Sequence, residues 1–84
     1  MSRALTAEWS RVGDDGRGSF VQRARARRDA LRGSDCNYWV FEIRAEPGTF
    51  LEFIEARDPE SLRLARVRVG ADPGAAVLTA VELD

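Results

Sequence analysis

Two helical stretches, each opening on a capping pattern and closing on a glycine, lie among four stretches of alternating or β-rich residues. Together they predict an α+β domain in the order strand, helix, strand, strand, helix, strand within 84 residues. That is the ferredoxin-like order, a four-stranded antiparallel sheet with two helices on one face. A chain of this length forms one domain, residues 1–84. Such a domain buries only about 60 to 65% of the surface its unfolded form exposes, so pairing with a second copy would extend a modest core.

Residues 4–12 alternate as a half-buried strand does, with Leu5, Ala7 and Trp9 on one side and Thr6, Glu8 and Ser10 on the other. The glycine- and aspartate-rich run 13–18 ends it. Ser19 followed by Gln22 forms a capping box, and Gly33 sits where a terminating glycine belongs, which predicts a helix over 20–32. Phe20, Ala24 and Leu31 share one stripe of that helix, with Arg27 and Arg28 beside it.

Residues 37–45 and 49–57 are rich in aromatic and β-branched types, and Glu46-Pro47-Gly48 between them is turn chemistry, so they form a hairpin. Pairing Ala45 with Thr49 segregates the faces cleanly, although it sets Glu42 opposite Glu52; a two-residue turn would shift the register by one. Asp58-Pro59-Glu60 is a helix start with an aspartate cap, and the helix should run to about Val69 and stop at Gly70. The alternation in Arg66-Val67-Arg68-Val69 would also suit a strand. Residues 76–83 alternate as a final strand.

Composition closes several routes. A single cysteine, Cys36, excludes an internal disulfide and fits a reducing cytoplasm, and with no histidine in the chain neither a zinc site nor a histidine-based triad can form within one copy. No apolar run is long enough to span a membrane and no basic-then-apolar leader is present, the pattern of an ordinary soluble globular protein. All thirteen basic residues are arginine, which either favours bidentate contacts or reflects a GC-rich genome. Residues 17–32 carry six of them against one aspartate; they point in several directions, which makes a solvated helix the better reading than a nucleic-acid face.

If the helices cover the face bearing Trp9, Trp39, Phe41, Phe53 and Val81, the opposite face carries Tyr38, Glu42, Arg44 and Glu52 among Val40, Phe50, Ile54 and Leu78. Those four apolar residues then form the surface through which a homodimer assembles. The four polar ones become the contacts of an enclosed small-molecule pocket: Arg44 orienting an anionic oxygen, Glu42 or Glu52 accepting a proton, Tyr38 donating a hydrogen bond.

The stretches Asn37-Tyr38-Trp39-Val40-Phe41-Glu42, Phe50-Leu51-Glu52-Phe53-Ile54-Glu55-Ala56 and Asp58-Pro59-Glu60-Ser61-Leu62 resemble the hairpin and second helix of the dimeric α/β-barrel superfamily that includes antibiotic-biosynthesis-type monooxygenases. The resemblance implies paired ferredoxin-like subunits whose free sheet faces line a pocket, and a chemistry run without metal or flavin, hence no cofactor. The absence of histidine argues against the haem-degrading members, whose iron needs an axial ligand. A non-catalytic interaction module using the same sheet face is the alternative.

An RNA-recognition module shares the element order, but only Phe53 keeps one of its stacking aromatic positions, and Glu52 stands where a small residue would admit RNA; nucleic acid is therefore not the expected partner. The glycines of 13–18 match neither phosphate-loop spacing, and Asp14 and Asp15 oppose an anion.

Overall fold

A computed structural model gives the fold over residues 3–84. It contains β1 (Ala4–Arg11), α1 (Arg17–Leu31), β2 (Asn37–Glu42), β3 (Thr49–Ala56), α2 (Pro59–Arg68) and β4 (Leu78–Thr79), with a short 3-10 turn, Asp14–Gly16, leading into α1. The sheet has the order β2-β3-β1-β4 and is antiparallel throughout. Each helix is a crossover between two strands that leaves room for a third between them. This is the expected α+β architecture, consistent with a ferredoxin-like arrangement.

The second helix follows the sequence closely. The Asp58 carboxylate accepts from the Ser61 amide at 2.7 Å, and Pro59 occupies the first turn, where no amide is needed. At the other end Gly70 adopts φ +73°, the Ala71 amide reaches the Arg66 carbonyl at 2.8 Å, and the Gly70 amide reaches that of Val67 at 3.1 Å. This Schellman closure keeps Arg66 and Val67 helical and decides against the strand alternative.

The first helix starts earlier than expected. The 3-10 turn, closed by Gly16 N–H donating to Gly13 C=O at 2.9 Å, winds directly into Arg17, so Ser19 lies inside the helix and caps nothing.

The hairpin register also differs. Phe41 faces Leu51 and Val40 faces Glu52, two residues away from the expected pairing, because residues 43–48 form the connection rather than 46–48 alone. A slip of two preserves the faces and takes Glu42 away from Glu52. Gly48 holds the loop against the end of β1: its carbonyl accepts from Val12 N–H at 2.9 Å, its φ is +89°, and a Cβ there would lie 2.7 Å from the Val12 carbonyl oxygen.

The face assignment is reversed. Ala4 and Thr6 of β1, Phe50, Glu52, Ile54 and Ala56 of β3 are buried beneath the helices, whereas Trp9, Trp39 and Phe41 on the other face are 64, 43 and 57% exposed. Val40, Phe50 and Ile54, expected at a dimer surface, therefore belong to the helix side. The reason is the make-up of the helices. The sheet-facing stripe of α1 buries Phe20, Arg27 and Leu31, and that of α2 buries Leu62, Ala65 and Arg66. A stripe carrying an arginine needs carboxylates beneath it, and Glu8 and Glu52 stand side by side within this face, whereas Glu55 lies at the margin of the other.

The core is accordingly small: Ala4, Leu31, Ile54, Ala56, Leu62 and Ala65, with Phe20 stacked on Phe50 at 4.2 Å. The last strand is short as well. Thr79 pairs with Ala4, the first residue of β1, so the residues after 79 run past the ladder instead of forming the strand expected over 76–83.

Gly48→Ala is expected to destabilise the fold by about 1 to 3 kcal/mol in urea titrations, from its positive φ and the carbonyl contact. Gly18→Ala, with nothing within 4 Å of the new methyl group in α1, is expected to stabilise it by about 0.5 kcal/mol.

Candidate functional site

The titratable residues expected in one pocket occupy three different places. Glu52 sits mid-strand in β3, 3% exposed, where its carboxylate accepts from Arg27 of α1 at 2.8 Å and from the Tyr38 hydroxyl of β2 at 2.5 Å. Arg23 stands 3.8 Å away. Tyr38 and Glu52 are thus joined, but beneath α1 rather than on a free face. Glu42, at the end of β2, is bound to Arg17 and accepts from the Gly48 amide, and these hydrogen bonds, the arginine's first, hold its carboxyl below the usual range. Arg44 is exposed in the hairpin connection.

A second polar knot, not foreseen from the sequence, lies under α2. Arg66, 2% exposed, donates to the Thr6 hydroxyl at 2.7 Å, to Glu8 at 2.5 Å and to the Asp72 carbonyl at 2.5 Å, tying α2 to β1 and to the loop that follows it. The available signal was the position of Arg27 and Arg66 within otherwise apolar helical stripes.

The open sheet face is the other feature the sequence reading missed. Across the strands, Trp39, Phe53 and Ala7 form one row, and Phe41, Leu51 and Trp9 the next; Leu5 and Leu78 lie side by side toward the β4 edge. Of the residues assigned to a dimer surface, only Leu78 lies here, 47% exposed. Phe41 and Phe53 meet edge to face at 5.8 Å. With strands about 4.8 Å apart, two such rows make a continuous apolar surface. The carboxylate on this face is Glu55 at its margin, hydrogen-bonded by Asn37 at 2.9 Å and paired with Arg3 at 2.9 Å. Those partners, Asn37 foremost, hold it below the usual carboxyl range.

Among the described residues no cluster of three or more His, Cys, Asp or Glu could hold a metal ion, and no helix is long and apolar enough to cross a membrane. No family model, no curated protein and no solved structure matches the chain. The likeness to the monooxygenase superfamily rests on element order and residue pattern alone.

Removing one member of a buried ion pair strands the other. Arg27→Ala is therefore expected to cost about 3 to 5 kcal/mol in denaturant unfolding, whereas Arg27→Leu combined with Glu52→Leu returns close to the parent stability.

Tyr38 gives an independent test, because it is the sole tyrosine and the chain has no lysine. Burial first, then its hydrogen bond to Glu52, push the phenol well above its ordinary range, against the opposing pull of Arg27 and Arg23. A folded-state value above the unfolded one means that the protonated phenol stabilises the fold fully below about pH 10, and that this contribution drains away as pH rises beyond it. Phenolate absorbance near 295 nm is expected to stay absent at pH 11 in the folded chain and to develop with unfolding; Tyr38→Phe is expected to flatten this alkaline loss.

Proposed function

We propose that this chain is a non-catalytic, self-associating module, and that the open sheet face receives a second copy. The observation that carries the reading is the exposure of Trp9, Trp39 and Phe41 on one continuous surface backed by Leu51 and Phe53. Aromatic side chains bury about 150 to 250 Å² each, so these three rings alone leave on the order of 400 Å² of apolar area in water. With Leu78 and the half-buried neighbours, the patch reaches the upper range for the largest patch on a monomer, and it makes up much of the roughly 800 Å² per partner in a standard interface.

A monooxygenase-like enzyme would need a proton acceptor on this face. Glu55 is a poor one, since its bonds to Asn37 and Arg3 lower its basicity, and Tyr38 and Glu52 are occupied with Arg27 beneath α1. The small-molecule reading keeps support in one form: two apposed faces lined by indole and phenyl rings favour a flat apolar ligand held by stacking.

Light scattering at micromolar concentration is expected to give twice the chain mass. Phe41→Asp and Trp39→Arg are each expected to yield monomers with unchanged far-ultraviolet circular dichroism, because neither side chain touches the core under the helices. A wild-type monomer at 100 µM would remove the reading.

A further inference from the structure

The geometry points to a second binding site, on the helix side of the sheet, for a medium-chain carboxylate. Between the C-terminal end of α1 and the length of α2 lies an open groove of about 580 Å³, within the range of small-molecule sites. One wall is a single stripe of α2, Ser61, Leu64, Ala65 and Arg68, at positions i, i+3, i+4 and i+7 of the helix. The other wall is Leu31 with the short connection 34–36.

A helix stripe of this kind normally packs on a neighbouring helix. Here α1 packs on β2 and β3, α2 packs on β3 and β1, and the two helices share the cluster of Leu31 with Leu62 and Ala65. The side chains that could fill the gap between them are small: Ser34, Cys36, Ser61 and Ala65. The floor is apolar, with Leu31 and Ala65 nearly buried, and Leu64, 55% exposed, forms a lip. Seven helical residues span about 10 Å, the length of a chain of roughly eight carbons.

Charge selects the head group. The groove has a guanidinium at each end, Arg57 and Arg68, against one carboxylate, Asp35. Arg57 already lies 3.5 Å from Asp58, whereas Arg68 forms no ion pair among the described residues. Arg68 is therefore the anchor. Its planar fork matches the two oxygens of a carboxylate, while the alkyl chain lies along Leu64, Ala65 and Leu31 toward Cys36. The groove opens on the side away from Trp9, Trp39 and Phe41, so it stays accessible whether or not the sheet face is covered.

The chain carries separate reporters for its two sides. Cys36, the sole cysteine, lines the groove, and both tryptophans lie on the open sheet face. The full chain is titrated with octanoate and, in parallel, with octanamide, while the rate of Cys36 alkylation by iodoacetamide and the tryptophan fluorescence are followed. Octanoate is expected to slow alkylation saturably by fivefold or more, and octanamide to need at least tenfold higher concentration. Arg68→Gln is expected to weaken octanoate protection about tenfold with unchanged melting temperature, and Leu64→Ala to weaken both ligands. Unslowed alkylation at millimolar octanoate, equal protection by octanamide, or undiminished protection in Arg68→Gln would each overturn the proposal. A tryptophan response without Cys36 protection would also overturn it, by placing octanoate on the sheet face.

Discussion

The fold depends on two arginine–glutamate contacts made under the helices, Arg27 with Glu52 and Arg66 with Glu8. A guanidinium taken out of water must meet a carboxylate or lose several kcal/mol, whereas an aromatic ring left in water loses less. This inequality decides which side of the sheet the helices cover. Once Glu52 and Glu8 are drawn beneath them, the strict alternation of β1, β2 and β3 sends Trp9, Trp39, Phe41 and Phe53 to the other side, whatever their own preference for a core.

Glu8 and Glu52 are also direct cross-strand partners. Two carboxylates side by side repel each other, so each takes a cation from a different helix. The helices are thereby fastened to the sheet one by one, and meet each other where Leu31 clusters with Leu62 and Ala65. Ser34, Cys36, Ser61 and Ala65 are among the residues lining the space left between them, and a groove persists on that side while the opposite side carries the exposed aromatic rings. Both candidate binding surfaces thus trace to the same pair of buried contacts.

Much of this was legible in the residues. The element order, the Asp58 cap, the Gly70 terminator and the division of the hairpin into two faces all rest on local chemistry, which acts the same way in any context. What the residues did not declare was non-local. A period of two separates two faces without saying which one is covered, and by hydrophobicity alone the aromatic face is the natural core; only the arginines within the helical stripes weigh against it. Glu42 and Glu52 lie on the same side of the sheet, yet one is buried beneath α1 and the other bonds to Arg17 at its N-terminal end, so no pattern within the hairpin could separate them. The hairpin connection was longer than Pro47-Gly48 suggested because Gly48 is fixed by Val12, a residue of another segment. The last strand failed to extend because β1 begins at Ala4, opposite Thr79.

The position of β1 bears on how the chain comes into being. Of the four strands it is made first, yet it belongs in the interior of the sheet, between β3 and β4. Its partner β3 begins only at Thr49, and at a synthesis rate of about 5 to 20 residues per second that is a delay of roughly 2 to 9 s. Through that interval Trp9 and the edges of β1 have nothing to pair with, while the β2–β3 hairpin, once made, closes through local contacts alone. Contacts as distant in sequence as Ala4 with Ala56 and Thr6 with Arg66 impose the largest loop-closure cost. Of the four strands, β1 therefore waits longest for its first partner, and the nascent chain is most exposed to misassociation before β3 has emerged.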